Sequence, residues 1–92
     1  MINLTDENFK QETSTGKVVV DVWASWCGVC KMMKPKFEEL STTKTDYKFC
    51  TLNVDEAPKT ASELSISNVP VFIIYNDGKE VSRGGFEVLG GL

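Results

Sequence analysis

The sequence has no histidine, only three cysteines and three prolines, and no long run of apolar residues. Without histidine, a zinc site at the cysteines would need carboxylates or a second chain as further ligands. Three cysteines are too few, and odd in number, for a secreted scaffold built on disulfides. The apolar runs are far shorter than the ~20 residues that cross a bilayer. We therefore expect neither a membrane-spanning helix nor a disulfide-built secreted domain.

The composition is that of an ordinary globular domain. Of the 92 residues, 41% are hydrophobic and 25% are charged, and this length predicts a single domain over residues 1–92. The formal net charge of −3 disfavours binding to the phosphates of nucleic acid. The first residues lack the basic start and the apolar run of a secretory signal, so we expect a cytoplasmic protein.

Short segments with strand and helix periodicity alternate along the chain, which is typical of an α/β domain. Strands are predicted at residues 2–4, 18–23, 47–54, 71–75 and 79–83. Helices are predicted at residues 7–12, from just after residue 28 to about residue 40, and from residue 58 to about residue 64. The last nine residues contain four of the seven glycines, so we expect no good helix there.

The strongest chemical signal is a pair of cysteines at the start of the predicted second helix, in residues 26–31 with the sequence Trp-Cys-Gly-Val-Cys-Lys. Two intervening residues allow the sulfurs to reach bonding distance. Cys27 lies at the helix N-terminus, whose unpaired N–H groups favour a thiolate, and Cys30 lies one turn further along. We expect Cys27 to attack a partner disulfide and Cys30 to resolve the mixed disulfide. The alternatives are two ordinary buried thiols or half of a zinc site.

Asp21 is a second candidate, because it is an acid within a valine-rich strand. Burial there must raise its pKa unless a partner compensates, which makes it a candidate to accept the Cys30 proton. A buried acid with a merely structural role is the alternative. The cluster of Lys31, Lys34 and Lys36 is interpreted as a solvated helix face, with Lys31 as an alternative support for a thiolate.

Four segments together resemble the thioredoxin family: residues 20–31, 53–55, 69–72 and 76–79, in the same order and at similar separations. The resemblance covers roughly residues 2–83. It implies a thioredoxin fold, with a mixed sheet of four or five strands flanked by helices. It also implies a protein dithiol–disulfide oxidoreductase that reduces disulfide-containing client proteins, receives electrons from NADPH through thioredoxin reductase, and needs no bound cofactor or metal.

The resemblance further implies roles for individual residues. Cys27 would be the nucleophile, Cys30 the resolving thiol and Asp21 the buried carboxylate behind Cys30. Pro70 would be a cis-proline facing the disulfide. The surface that contacts substrate would consist of Trp26, Gly28, Val69 and Pro70.

Two departures from the family pattern lie near the cysteines. Val29 stands where the family most often has proline. By the resemblance, this difference implies that the cysteine pair is a less reducing redox couple, so an oxidant or isomerase is one alternative function. Thr51 stands where many thioredoxins have lysine, which removes a positive charge near Asp21 and would raise the pKa of that acid. A second alternative is a non-catalytic module that binds a partner through Trp26 and Pro70.

The third departure is at the C-terminus. Residues 84–92 are too short and too rich in glycine to supply the helix with which the family normally ends, so that helix is predicted to be missing. Part of one sheet face is then expected to be uncovered. We expect a monomer, with self-association if this face is exposed.

Overall fold

A computed structural model describes residues 1–92, and its elements alternate as the periodicity predicts. The five strands are β1 (Ile2–Leu4), β2 (Lys17–Trp23), β3 (Lys48–Asn53), β4 (Val71–Asn76) and β5 (Lys79–Gly84). The α-helices are α1 (Phe9–Thr13), α2 (Gly28–Thr43) and α3 (Pro58–Glu63), and a 3-10 helix follows at Phe86–Gly91. None of these helices combines the length and apolarity needed to cross a membrane.

The strands form one mixed sheet in the order β1-β3-β2-β4-β5. β3 pairs in parallel with both β1 and β2, whereas β4 is antiparallel to both β2 and β5. The central position of β2 explains its run of β-branched residues, because a strand covered on both faces buries every side chain. Asp21 is carried into the interior with them.

Alternate residues of β2 face two separate cores. Val18, Val20 and Val22 belong to the core under α1 and α3, which also contains Phe9 and Leu64. Val19 faces the other way and packs with Phe37 of α2 and two further phenylalanines. Since side chains alternate along a strand, Asp21 and Trp23 lie on the α2 face with Val19.

The first helix begins two residues later than predicted, and the residues before it are held by side-chain hydrogen bonds. The backbone N–H groups of Thr5 and Asn8 each donate to the other residue's side chain, at 2.6 and 3.1 Å. The Asp6 carboxylate instead accepts hydrogen bonds from the backbone and the hydroxyl of Thr60 in α3, both at 2.8 Å. Asp6 therefore ties the start of the chain to a distant helix.

The C-terminal residues differ from expectation. We predicted no good helix, but Phe86–Gly91 form a short 3-10 helix. Its Leu89 is only 2% exposed and packs with Val19 and Phe37, so this part of the sheet face is covered and the prediction of an uncovered face was wrong there. A groove of about 220 Å³ remains beside α2, between Leu40 and Phe86.

Candidate active site

Cys27 and Cys30 are joined by a disulfide at the N-terminus of α2, directly after the central strand. Their Cα atoms are 5.3 Å apart, and the exposed fractions of the two residues are 8% and 3%. Cys27 is the N-cap of the helix, and its sulfur accepts a hydrogen bond of 3.2 Å from the backbone N–H of Cys30. The same N–H group can stabilise negative charge on Cys27 when the disulfide is opened.

The loop immediately before β4, distant in sequence from the cysteines, lies against this disulfide. The Val69–Pro70 peptide bond is cis, as the resemblance implied. The carbonyl oxygen of Val69 is 3.7 Å from the sulfur of Cys27. A disulfide sulfur carries no proton, so this is a van der Waals contact in the oxidised state. The loop immediately before β4 thus borders the reactive sulfur.

The surface around the disulfide is apolar and exposed. Trp26 is 69% exposed, and Val29 and Met32 are also exposed. Gly28 is the exposed first residue of α2, and the space around its Cα is open. An accessible surface of this kind, next to a nearly buried disulfide, allows a partner chain to approach the sulfurs.

The Trp26 side chain is held by an interaction that our sequence reasoning missed. Its indole N–H donates to the Asp55 carboxylate at 3.1 Å. The backbone N–H of Asp55 in turn donates to the Asn53 side chain at 2.9 Å. The only sequence signal was the Asn53-Val54-Asp55 segment, which we used for the resemblance alone. The hydrogen bond fixes the orientation of an otherwise exposed aromatic ring.

Asp21 lies behind the disulfide and is 3% exposed. Its Oδ1 atom is buried and has no hydrogen-bonding partner in the protein. Burial raises the pKa of Asp21 from its ordinary 3.8 to about 7, and the positive charge of Lys34 opposes that rise. Asp21 borders a cleft of about 190 Å³ whose other lining residues are Trp23, Cys30, Lys31, Lys34 and Thr51. The structure therefore brings the carboxyl group and the inner cysteine to one cleft.

Lys34 is exposed like the rest of the lysine cluster, and it also borders the Asp21 cleft. It follows Cys30 by four residues, so both lie on one side of α2. Its Nζ atom is 5.3 Å from the centroid of the Trp23 ring, within range of a cation–π interaction. The spacing of four from Cys30 was a usable sequence signal for this position.

No three side chains of the histidine, cysteine, aspartate or glutamate type come together as a metal site. The third cysteine, Cys50, is a free thiol, fully buried in the core under α1 and α3. Burial raises the pKa of Cys50 to about 11. It is a core thiol and contributes nothing to the site.

The two cysteines of this disulfide are three residues apart, and the first of them caps a helix that follows a buried strand. A loop with a cis-proline borders the disulfide. This arrangement is suited to thiol–disulfide exchange. The protein is thus of the class that cycles between a dithiol and a disulfide. The thioredoxin family model matches residues 1–86, and the chain belongs to the thioredoxin family.

Individual relatives agree with this assignment. The chain is 42% identical over 84 residues to thioredoxin from Alicyclobacillus acidocaldarius, covering 89% of this chain and 80% of the relative. It is 38% identical over 86 residues to thioredoxin from Staphylococcus haemolyticus, covering 90% and 81%. Members of this family are protein-disulfide oxidoreductases that act on disulfide-containing client proteins through a redox-active disulfide.

Solved structures show that the fold is the thioredoxin fold. Oxidised mitochondrial thioredoxin 3 from Saccharomyces cerevisiae superposes with a TM-score of 0.90 at 30% identity, covering 99% of this chain and 92% of that one. Thioredoxin f2 from Chlamydomonas reinhardtii gives a TM-score of 0.91 at 26% identity, covering 99% and 91%. The predicted α/β class and mixed sheet are confirmed, and the sheet has five strands. The chain has the thiol–disulfide oxidoreductase function of its family.

Proposed function

We propose that this protein works mainly as a reductant of client disulfides, with Cys27 as nucleophile and Cys30 as resolving thiol. The Cys27 thiolate attacks one sulfur of the client disulfide, forming a mixed disulfide and expelling the other client sulfur as a thiolate. Cys30 then loses its proton and attacks the Cys27 sulfur, which releases the second client thiolate. The client gains two electrons, and the protein ends with the Cys27–Cys30 disulfide.

The observation that carries these roles is the asymmetry of the two sulfurs. Cys27 is the N-cap, lies next to the exposed apolar surface and accepts the N–H of Cys30 at 3.2 Å. Cys30 is one turn inside the helix, lines the inner cleft and is less exposed. An attacking thiolate needs both access and stabilisation, whereas a resolving thiol needs only to reach its neighbour.

Asp21 is the proposed proton acceptor for Cys30. The two residues line one cleft of about 190 Å³, a volume that accommodates water as a relay. A carboxyl group whose pKa is about 7 can both accept and return a proton near neutral pH. This role uses the buried Oδ1 atom, which has no partner in the fold.

The proposed client surface consists of Trp26, Gly28, Val69 and Pro70. Trp26 and Gly28 are exposed. Val69 and Pro70 are half-buried, and Val69 contacts the Cys27 sulfur and lines one groove with Trp26. A client segment lying on this surface would have its disulfide within reach of Cys27.

The proposal extends to the setting in which the protein works. Residues 1–92 act as one monomeric domain in the cytoplasm. Electrons reach the Cys27–Cys30 disulfide from NADPH through a thioredoxin reductase, since reduction of clients leaves the protein oxidised and a reductant must restore the dithiol. The proposed function therefore requires no group bound to the protein itself.

One feature favours a second direction of electron flow. Val29 lies between the cysteines and is exposed, and unlike proline it leaves a backbone N–H in the first turn of α2. That additional N–H favours the thiolate and hence the reduced state, which would make the couple more oxidising. An oxidant or isomerase is therefore the second candidate.

A redox titration tests the proposal. Wild type and Cys30→Ser are equilibrated in graded thiol–disulfide buffers, and free thiols are alkylated and counted by mass. We expect two wild-type thiols to titrate together at a strongly reducing potential while Cys50 remains free. Oxidation only in strongly oxidising buffers would favour the oxidant or isomerase, and failure to form the Cys27–Cys30 disulfide would overturn redox catalysis in favour of a binding module.

A further inference from the structure

The cleft behind the disulfide brings one acid and one lysine ammonium together beside the resolving cysteine. We propose that Lys34 is a positioning residue for the exchange reaction, whose charge keeps the Asp21 carboxyl ionised so that it can take the proton of Cys30. This inference rests on the proposed role of Asp21. It assigns a task to a side chain that lies outside the disulfide motif.

The placement of Lys34 follows from two elements. On α2, the spacing of four residues puts Lys34 and Cys30 on one side of the helix, and both line the cleft. On β2, Trp23 lies two residues from Asp21, on the same face of the sheet. The centroid of the Trp23 ring is 5.3 Å from the Lys34 ammonium. The indole therefore holds this ammonium on the side of the cleft that Asp21 also lines.

No other element brings a charge that could replace Lys34. Thr51 pairs with Asp21 from β3, and Phe72 pairs with it from β4, and neither side chain is charged. α2 contributes Cys30, Lys31 and Lys34 to the cleft, and of these Lys34 is the group whose charge lowers the pKa of Asp21. Lys34 therefore supplies, from the helix, a positive charge that β3 lacks.

Asp21 must be ionised to act in the exchange reaction. Only the carboxylate form can accept the proton that Cys30 loses as its sulfur attacks Cys27. With a pKa of about 7, roughly half of the carboxyl groups are ionised at neutral pH, so a small change has a direct effect. Removing Lys34 raises the pKa of Asp21. Because Lys34 is solvent-exposed, salt and water screen its charge, and we expect a rise of roughly 0.5–1 pH unit.

A chromogenic disulfide separates the two chemical steps. Reduced protein mixed with an aromatic disulfide such as dithiobis(nitrobenzoate) releases one coloured thiolate when Cys27 attacks and a second when Cys30 resolves the mixed disulfide. Stopped-flow absorbance then follows both phases as a function of pH. The variants are Lys34→Met, Lys34→Arg and, as the matched control, Lys36→Met, which removes an equal charge from the same helix on the side that borders a different groove.

We expect Lys34→Met to slow the second phase roughly two- to fivefold at pH 7. The pH midpoint of that phase should move upward by roughly the same 0.5–1 unit. At higher pH the rate of the variant should approach that of wild type. Lys34→Arg should restore the wild-type profile, Lys36→Met should leave it unchanged, and added salt should reduce the difference. Equal effects of the two Met variants, or a slowing that is the same at every pH, would overturn the role of Lys34.

Two further measurements keep this inference apart from the proposal on which it rests. The Asp21 carboxyl is titrated by carbon NMR in wild type and Lys34→Met, and an unchanged midpoint overturns the coupling whatever the rates. In Asp21→Asn, an undiminished second phase would remove the role of Asp21 and with it that of Lys34. A slowed Asp21→Asn together with an unaffected Lys34→Met would overturn the role of Lys34 alone.

Discussion

Replacing Asp21 with asparagine is expected to stabilise the fold at neutral and alkaline pH, because the native protein must hold a carboxylate in its interior. Burial raises the pKa of this group from 3.8 to about 7. Each pH unit between the unfolded and folded values is worth about 1.4 kcal/mol, so this gap costs the wild-type protein about 4 kcal/mol above pH 7. At 3% exposure, Asp21 is too deeply buried for solvent to screen away the effect.

The sign of the pH dependence follows from the protons bound in each state. Below about pH 4 Asp21 is protonated in both states, so its ionisation contributes no difference. Between about pH 4 and pH 7 the unfolded chain loses this proton while the folded protein retains it, so wild-type stability falls as the pH rises. Above pH 7 the penalty is constant. Any fixed effect of the asparagine amide cancels when only the change with pH is compared.

The difference in stability between Asp21→Asn and wild type is measured by urea unfolding of the oxidised proteins. Unfolding is followed by circular dichroism between pH 4.5 and pH 8.5, at steps of about one unit. The gap between Asp21→Asn and wild type should widen by up to about 3–4 kcal/mol over that range. Parallel stability curves for the two proteins would refute the raised pKa. Asp6→Asn is the control: hydrogen bonds from Thr60 lower the pKa of Asp6 below its ordinary 3.8, so its stabilisation is lost only below about pH 4 and its gap to wild type should stay constant over this range.

Three other predictions concern packing, thiol reactivity and the client surface. Leu89→Ala should lower the free energy of unfolding in urea by about 2–4 kcal/mol, since Leu89 is buried in the α2-side core, and a loss below about 0.5 kcal/mol would mean that the C-terminal 3-10 helix is not packed there. In the reduced native protein at pH 8, iodoacetamide should modify Cys27 but leave Cys50 unmodified by mass until urea is added, because Cys50 is fully buried with a pKa of about 11. Trp26→Phe loses the hydrogen bond to Asp55 that orients the ring, so it should raise the KM for a protein disulfide severalfold with little change in the rate of the first chromogenic phase. Asp55→Asn should raise the KM by a smaller factor.

Much of the fold was predictable because its signals are local. The valine-rich run of β2 and the spacing of four and three residues in α2 are patterns that a short segment carries by itself. Each predicted strand lies within one residue of its observed bounds. The surroundings of the residues before α1 were less predictable, since Asp6 bonds to Thr60, a residue far away in the sequence.

The disulfide pair was also predictable, because the spacing of Cys27 and Cys30 and their place at a helix start lie within one short segment. The surroundings of the pair were not. The Trp26–Asp55 hydrogen bond joins residues 29 positions apart, and the contact of the Cys27 sulfur with Val69 spans 42. Such contacts depend on how the loops after β2 and β3 and before β4 meet at one edge of the sheet.

By itself, the sequence determined the alternation of strands and helices, the Cys27–Cys30 pair and the presence of an acid in the central strand, since each depends on neighbouring residues. Only the tertiary structure decided that Lys31 and Lys34, but not Lys36, border the cleft of that acid, and that Leu89 closes part of the sheet face. The rotation of α2 about its axis, set by Phe37 packing against the sheet, directs Lys34 to the Asp21 cleft and Lys36 to another groove. That rotation follows from packing between distant segments, which periodicity within one segment does not specify.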